Sequence, residues 1–405
     1  MTGHWLVMTF HWDTCAVPLR RSSPITSSAQ ARELARRRLP GSVYGFIDGG
    51  NEAGVTVRDN VEAFSSIGFV PRVLSSSEPR DLRTTVLGRE IAMPVITSPA
   101  GFIRIAHVDG EVAVARAGAR AGIPTGLSIL ASVPVESVVA ANADTWFQLY
   151  MIGGREGTAL AIERARLAGV RVLIVTVDLA AGTGGHDRRP AQMPPGRVSV
   201  QAALRHASEI ITRPHWAYGF ARGGLDLVAP NAPGRGSGPM TIAEGSAALR
   251  EHPPTWDDIR FIREQWEGPL VVKGIMHADD ARRAADLGVD AVSVSNHGGN
   301  GLDGAPAPIH ALPAVVEAVG ERIEVFMDGG VRRGGDVVKA VALGARACLI
   351  GRSYIWALAA RGETGVDEML AAYRKAISGT MSLLDARSIA DLGPQALFRR
   401  EAGSR

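Results

Sequence analysis

A histidine stands where a β-strand pattern changes into a glycine-rich loop, in the stretch DAVSVSNHGGNGLDGAPAP at 290–308. The run AVSVSN has the small and β-branched residues of a buried strand, and His297 follows it directly. An imidazole there can exchange a proton near neutral pH, because its ordinary pKa is about 6.5. A single histidine of this kind is more often structural than catalytic. Proton transfer is therefore a hypothesis that depends on what the other strand ends carry.

Polar side chains or glycine-exposed backbone accompany the ends of all eight apolar runs in the chain. They are Ser98, Pro99, Ala100 and Gly101 at the end of the first run, Ser128 of the second, Gln148 and Tyr150 of the third, Thr176 and Asp178 of the fourth, Lys273 of the fifth, Asn296 and His297 of the sixth, Asp328, Gly329, Gly330 and Arg332 of the seventh, and Gly351 with Arg352 of the eighth. Any one of them has an ordinary explanation, such as a surface lysine or a glycine turn. If the eight strands form a barrel, their carboxyl ends meet at one rim. Polar or glycine-rich residues at all eight strand ends therefore predict a shared site there.

The last two strand ends have the composition of a phosphate site. Glycines and arginines follow the runs in DGGVRRGGD and IGRSY. Backbone N–H groups freed by glycine, a helix N-terminus and a guanidinium together bind phosphate. Lys273 is an interior cation that needs an electron-rich partner, and Ser128, Gln148 and Thr176 can hydrogen-bond to the edge of a flat heterocycle. A phosphate, a polar-edged ring and a nearby cation together indicate flavin mononucleotide (FMN).

The elements that must position these groups alternate along the chain. Apolar runs lie at 93–99, 123–128, 145–150, 172–178, 270–275, 291–296, 325–330 and 347–351. Helical spacing is found at 110–122, 134–142, 155–169, 255–268, 277–288, 311–321, 334–344 and 366–386. Eight successive β–α units predict an α/β protein with a (β/α)8 TIM barrel, and a doubly wound open sheet is the alternative.

One connection is far longer than the others. Residues 179–254 separate the fourth strand from the next barrel helix, whereas such connections usually have only a few residues. We interpret this stretch as a lid insertion over the barrel mouth after strand 4. The predicted organisation is an irregular N-terminal arm at 1–28, a single barrel domain at 29–390 that begins with a helical segment, and a C-terminal tail at 391–405.

Composition argues against several other classes of function. The 405 residues carry a net charge of +3 and no broad basic stripe, so we expect no nucleic-acid binding. No apolar run reaches the ~18 residues of a membrane span, and we expect neither a membrane nor a metal partner. The cysteines are Cys15 and Cys348. Because Cys348 lies in an apolar strand pattern, we expect no disulfide between them and a reducing, cytoplasmic location.

Several of these stretches together resemble the family of FMN-dependent 2-hydroxy-acid oxidases and dehydrogenases. The matching motifs are SNHGGNGLDGAPAPIHALP, MDGGVRRGGDVVKAVALGARACLIGR, VVKGI and, at 39–64, LPGSVYGFIDGGNEAGVTVRDNVEAF. The resemblance covers roughly residues 29 to 360. It implies an FMN enzyme in which His297 takes a substrate proton, Asp178 orients His297, Tyr150 faces the substrate and Lys273 stabilises the reduced flavin.

The same resemblance implies a set of FMN contacts. They are Ala100, Ser128, Gln148, Thr176, Lys273, Arg332, Gly351 and Arg352, to which we add the neighbouring Pro99, Gly101, Ser295, Asp328, Gly329 and Gly330. We expect a homo-oligomer that uses a small-molecule substrate and O2 or another electron acceptor.

Three positions depart from the family pattern. The hydroxy-acid enzymes carry SNHGGRQLDG, with an arginine for the substrate carboxylate, whereas Asn300 and Gly301 stand here. A second family arginine has Arg188 as its candidate counterpart, and a substrate-facing tyrosine of the N-terminal segment aligns with Phe46. Losing a bidentate, charge-assisted pair costs roughly 1.5–3 kcal/mol per hydrogen bond. Asn300 therefore predicts a substrate that is not a simple free acid.

One branch of that family, the pre-mycofactocin synthases, is similar at these positions. Its motif SNHGGNNLDG keeps the asparagine, and its other segments are similar to RRRLPGSVY, GVTVRDN, ITRPHW and PPTWDDI of this chain. The branch oxidatively deaminates a tyrosine–valine-derived cyclic amide to an α-keto amide, and a lactam carbonyl suits the amide of Asn300. The resemblance implies that His297 removes a substrate proton, that FMN takes up the electrons, and that an imine product hydrolyses to a ketone and ammonia.

Two alternatives stay open on the sequence alone. One is oxidation of a 2-hydroxy acid of the lactate, glycolate or mandelate type, or of its ester or amide, with Arg188 binding any carboxylate. The other is a flavin-binding or scaffold protein without turnover. The presence of both His297 and Lys273 disfavours that last alternative.

Overall fold

Eight parallel strands close into a barrel at the centre of the molecule. The computed structural model describes residues 23–74, 78–179, 206–224, 227–233 and 239–399. The barrel strands are β1 Val95–Thr97, β2 Thr125–Ser128, β3 Thr145–Leu149, β4 Val172–Thr176, β5 Leu270–Ile275, β6 Ala291–Val294, β7 Glu324–Met327 and β8 Ala347–Ile350. Each strand pairs with the next in chain order, and β8 pairs with β1. The predicted (β/α)8 TIM barrel is confirmed, and the open sheet is excluded.

The barrel strands are apolar on both alternations because both of their faces are covered. All five residues of β4 are buried, and side chains such as Ile174, Trp146 and Phe326 fill the barrel interior. The rings of Trp146 and Phe326 lie 5.5 Å apart. Strands that are apolar on both faces are typical of parallel sheets whose two faces are both covered by other parts of the protein. Because the interior is filled, a ligand site must lie at an end of the barrel.

An outer ring of helices follows the strands. The helices are α1 Gly110–Ala121, α2 Val135–Ala141, α3 Gly154–Leu167, α4 Trp256–Gln265, α5 Ala278–Asp286, α6 Pro308–Val319, α7 Gly334–Ala342 and α8 Arg352–Leu383. The helix α8 is broken at Arg361 and Gly362, where Gly362 has φ 61°. The predicted helix 366–386 corresponds to the part after this break. In the described ranges, no helix has both the length and the apolar character needed to cross a bilayer.

A hairpin of strands Thr84–Val86 and Arg89–Ile91 covers the amino end of the barrel. The backbone N–H of Leu87 donates to Glu324 at 3.0 Å, and Arg171 donates to the Leu87 carbonyl at 2.9 Å. Glu324 begins β7 and Arg171 immediately precedes β4. The hairpin therefore occupies the end opposite to the predicted site.

The N-terminal segment packs against α8. Its helices are Ser28–Arg38, Gly41–Asp48 and Val55–Glu62. A following strand, Ile67–Phe69, pairs antiparallel with Leu397–Arg399. The predicted tail at 391–405 therefore contains a paired strand, and its residues 400–405 lie outside the described part of the chain. Residues 1–22 of the predicted N-terminal arm, including Cys15, also lie outside the described part of the chain.

The insertion after β4 has helical and paired segments in its described residues. They are the helices Ala207–Ile211, Pro214–Arg222 and Ile242–Ala248, and the antiparallel strands Val228–Ala229 and Met240–Thr241. The indole of Trp216 donates to the carbonyl of Ile105 at 2.8 Å, so this part of the insertion contacts the loop after β1. The candidate substrate residue Arg188 lies outside the described residues.

Candidate active site

A cavity of about 390 Å³ lies at the carboxyl end of the barrel, within the usual size range of small-molecule sites. Strand ends and loops around the rim line it. The predicted site residues in this lining are Phe46, Pro99, Ala100, Gly101, Lys273, His297, Asn300, Asp328, Gly329, Gly330, Arg332, Gly351 and Arg352. The fold thus brings most of the predicted groups to one place.

The ends of β4 and β6 bring Asp178 and His297 together. Nδ1 of His297 lies 2.8 Å from Oδ1 of Asp178. Burial acts to raise the pKa of Asp178, but the interactions with His297 and Lys273 outweigh it and the pKa is lowered. An ionised carboxylate at this distance favours a proton on Nδ1, which leaves Nε2 as the proton acceptor. His297 has φ 56°, a costly conformation for a residue that is not glycine.

Lys273 belongs to a buried polar network with Ser295 and Asp328. Its Nζ lies 2.8 Å from Oγ of Ser295 and 3.0 Å from Oδ2 of Asp328, and the Ser295 hydroxyl donates to Asp328 at 2.7 Å. Burial acts to lower the pKa of Lys273, but Asp328 and Asp178 outweigh it and the pKa is raised. A cation is therefore held beside the cavity. Its pairing with Asp328 was not predicted, because the DGG motif alone does not indicate which charge it meets.

Arg332 and Arg352 form the positive end of the cavity. The guanidinium of Arg332 lies 5.1 Å from the ring centre of Trp356, and Arg352 donates to the carbonyls of Ile47 and Gly298 at 3.0 and 2.7 Å. Burial lowers the pKa of Arg332, and burial together with the Arg332 charge lowers the pKa of Arg352 to about 10. Two desolvated cations that repel each other would be stabilised by a phosphate dianion.

The backbone after β7 approaches the N-terminal segment closely at this end. Gly329 and Gly330 have φ values of 87° and 81°, which favour glycine. A Cβ atom on Gly330 would lie 1.8 Å from the carbonyl oxygen of Asn60, so no side chain fits there. Together with the two arginines, this glycine cradle fits the terminal phosphate of FMN.

A row of polar side chains lies across the ends of β2, β3 and β4. The hydroxyl of Ser128 donates to Oε1 of Gln148 at 2.9 Å, and Thr176 is in register with Lys273 of β5. All three side chains are buried. Of the predicted site residues that the structure describes, these three, Ser295, Tyr150 and Asp178 lie outside the cavity lining. Their contacts with the flavin ring or the substrate stay predictions.

The remaining cavity wall is apolar apart from Ser98 and Asn300. Phe46, Ile103 and Ile105 contribute to it, and the side-chain amide of Asn300 donates to the His297 carbonyl at 3.0 Å. Among the described lining residues the cations are Lys273, Arg332 and Arg352. Lys273 is paired with Asp328, and the two arginines lie at the end of the cavity that is predicted to hold the phosphate. The described part of the cavity therefore offers Asn300, a neutral amide, where a substrate carboxylate would need a cation.

Asn60 is a site-supporting residue that was not predicted. Its side chain and that of Asn296 exchange two hydrogen bonds, at 2.8 and 2.7 Å, and both amides are buried. Asn296 directly precedes His297. The pair thus ties the N-terminal segment to the strand end that carries the histidine. The only sequence signal for Asn60 was its place in the GVTVRDN segment.

The chain is similar to known flavoenzymes over most of its length. The model of the FMN-dependent dehydrogenase family matches residues 35–399. A pre-mycofactocin synthase from Mycobacterium tuberculosis is 50% identical over 372 residues, which are 90% of this chain and 92% of that protein. The homologous synthase from Mycolicibacterium smegmatis is 47% identical over 380 residues, covering 93% and 94%.

More distant similarities point to hydroxy-acid enzymes. An L-lactate dehydrogenase from Pectobacterium atrosepticum is 38% identical over 379 residues, covering 93% of this chain and 97% of that protein. The crystal structure of (S)-mandelate dehydrogenase, a monotopic membrane protein, superposes with a TM-score of 0.85 at 33% identity, covering 93% of this chain and all of that one.

Proposed function

The chain belongs to the FMN-dependent dehydrogenase family and is an FMN-dependent oxidoreductase with a TIM barrel, and from that premise we propose a specific reaction. The substrate is a tyrosine–valine-derived cyclic amide that carries an amine next to its carbonyl. The enzyme oxidatively deaminates it to the α-keto amide, as in mycofactocin biosynthesis. Membership of this enzyme family favours an active enzyme over the alternative of a flavin-binding scaffold without turnover.

The observation that carries the proposal is the position of Asn300. It lines the cavity together with His297, and its amide donates to the carbonyl of His297 at 3.0 Å. A lactam carbonyl needs one neutral hydrogen bond, whereas a carboxylate buried there would need a cation. The two synthases at 50% and 47% identity support the same substrate class.

The geometry supports the following roles for the chain's own residues. His297 accepts a substrate proton at Nε2, and Asp178 holds the imidazole through Nδ1 and stabilises the imidazolium that forms. Lys273, Arg332 and Arg352 would hold FMN, the lysine at the ring and the arginines at the phosphate. When bound, FMN supplies the acceptor for the two substrate electrons. The oxidised substrate is an imine, whose hydrolysis adds water and releases ammonia to leave the ketone.

The test is a comparison of substrates on the purified, FMN-loaded protein. The cyclic amide should reduce the flavin under anaerobic conditions and yield one ammonia per keto amide, whereas L-lactate and (S)-mandelate should reduce it poorly. In air, release of H2O2 would identify O2 as the acceptor; without it, a redox dye should restore turnover. Oxidation of L-lactate as efficient as that of the amine would contradict the proposal.

The second candidate is oxidation of a 2-hydroxy acid, its ester or its amide. It is favoured by the 38% identity to an L-lactate dehydrogenase and by the fold shared with (S)-mandelate dehydrogenase. Both candidates use the same His297–Asp178 pair, so they differ in the substrate group that meets Asn300 and, for a free acid, in the predicted role of Arg188. The homo-oligomer and the cytoplasmic location stay predictions.

A further inference from the structure

We propose that Glu209 and Trp216, which lie on the described helices Ala207–Ile211 and Pro214–Arg222 of the insertion after β4, are positioning residues that set how well the cavity accepts a bulky substrate. This inference rests on the proposed function for the identity of the substrate. Neither residue lines the cavity in the part of the chain that the structure describes. Each acts through a neighbouring segment that does.

Glu209 caps the helix Gly41–Asp48 from outside. This helix begins after Pro40, which makes no side-chain capping hydrogen bond. Oε2 of Glu209 instead accepts from the backbone N–H of Ser42 at 3.0 Å and from its hydroxyl at 2.9 Å. The backbone hydrogen bond from Ser42 lowers the pKa of Glu209. A carboxylate at the first turn satisfies a free N–H and complements the helix dipole.

A second contact from the insertion lies beside the first. Nε of Arg213 donates to the carbonyl of Leu39 at 3.1 Å, just before the same helix. The helix end is held by other groups: Arg352 donates to the Ile47 carbonyl at 3.0 Å. The helix is therefore fixed from the barrel rim at one end and from the insertion at the other.

This helix carries one wall of the substrate cavity. Phe46 and Ile47 line the cavity, and Phe46 lies one helical turn after Ser42. Because the helix has only eight residues, release of its first turn changes the position of Phe46. The side chain of Phe46 is 42% exposed, so packing alone does not hold its ring in place.

Trp216 contacts a second part of the cavity lining. Its indole N–H donates to the carbonyl of Ile105 at 2.8 Å, and its ring stacks on Phe220 with 5.0 Å between centres. Ile105 lines the cavity from the loop after β1. The insertion thus contacts both apolar walls that a bulky substrate would meet. A small substrate, which stays near His297 and Asn300, depends on neither wall.

The experiment compares two amines on three holoenzyme variants: Glu209→Ala, Trp216→Phe and the control Glu264→Ala, an exposed glutamate of α4. The amines are the tyrosine–valine-derived cyclic amide and 3-amino-2-pyrrolidinone, which lacks the aromatic arm. Glu209→Ala and Trp216→Phe should raise KM for the bulky amine by about fivefold to tenfold, the factor for one lost hydrogen bond. The kcat, the FMN content and KM for the small amine should stay within about twofold, as should every parameter of the control.

Hydrogen–deuterium exchange supplies a readout that does not need turnover. Glu209→Ala should exchange faster in the peptide covering 39–48, and Trp216→Phe in the peptide covering 101–106. If Glu209→Ala loses FMN, Ser42→Ala replaces it, because that change removes only the hydroxyl donor and should give a smaller shift of the same sign. An unchanged ratio of the two KM values overturns the proposal, whether or not exchange changes. If the wild type oxidises neither amine, the proposed function fails, and unchanged exchange at 39–48 would separately overturn the role of Glu209.

Discussion

Nδ1 of His297 lies 2.8 Å from Oδ1 of Asp178, although the two residues are 119 positions apart in the chain. They follow β6 and β4, which flank β5 and its Lys273 in the barrel. The lysine charge helps to keep the carboxylate ionised, and the carboxylate keeps the imidazole oriented. Three neighbouring strand ends therefore form one electrostatic unit.

Replacement of His297 by alanine should leave FMN bound and slow turnover. Most of the predicted FMN contacts come from other strands, whereas a general base contributes about 10²–10⁴ in rate. Stopped-flow reduction of the flavin by the cyclic amide measures this effect, with the exposed His277→Ala as the control. Flavin reduction at the wild-type rate in His297→Ala would make the histidine purely structural.

Replacement of Asp178 by asparagine should lower kcat/KM by about 10²-fold or more, since the amide neither fixes the Nδ1–H tautomer nor stabilises the imidazolium. The wild-type protein should also show the pH dependence of this carboxylate. Its pKa lies below the ordinary 3.8, so its contribution to stability is present above that pH and is lost as the pH falls through the lower folded-state value. Chemical denaturation of both proteins from pH 2 to 7 measures this, and equal acid dependence in Asp178→Asn would contradict it.

Replacement of Lys273 by methionine should weaken the sulfite adduct of the flavin, because the cation beside the ring is lost. It should also destabilise the fold by about 3–5 kcal/mol, because Asp328 stays buried without its cation. The double variant Lys273→Met/Asp328→Asn should recover part of the stability but none of the sulfite affinity. Sulfite affinity equal to the wild type in Lys273→Met would show that this lysine does not face the flavin.

Replacement of Arg332 by glutamine should weaken FMN binding by about 10-fold to 100-fold, the range for one charge-assisted hydrogen bond to a phosphate. Arg333 is adjacent in sequence but exposed, and Arg333→Gln serves as the matched control. Fluorescence titration of the apoprotein with FMN gives both dissociation constants. Equal losses of FMN affinity in Arg332→Gln and Arg333→Gln would argue against a phosphate at Arg332.

Replacement of Asn300 by arginine should lower kcat/KM for the cyclic amide, because the new guanidinium is desolvated with no anion beside it. It should gain weak activity on a small 2-hydroxy acid such as L-lactate. Asn300→Gln separates the effect of side-chain length from that of side-chain charge. It lengthens the side chain but keeps the neutral amide, so it should not gain lactate activity. The measurement is kcat/KM for both substrates in all three proteins. Faster oxidation of the amine by Asn300→Arg would overturn the role given to Asn300.

The sequence was sufficient for the architecture and for the rim where the site lies. Eight apolar runs alternate with segments of helical spacing. This pattern is local, because the spacing of apolar residues within each segment indicates whether that segment forms a strand or a helix. Once the strands are parallel and close into a barrel, their carboxyl ends share one rim. The position of His297, Lys273 and the two arginines at that rim could therefore be predicted from where each run ends.

Only the tertiary structure decided which of these groups meet. Three contacts join residues that are far apart in the chain. Lys273 pairs with Asp328, 55 positions away, and the amides of Asn60 and Asn296 pair across 236 positions. Ser42 donates to Glu209 across 167 positions. Such contacts depend on strand register and on how the loops and the N-terminal segment pack over the rim. Because hydrogen bonds and ion pairs act over about 3–4 Å, a shift of one residue in register would exchange every partner, and no local sequence pattern records that choice.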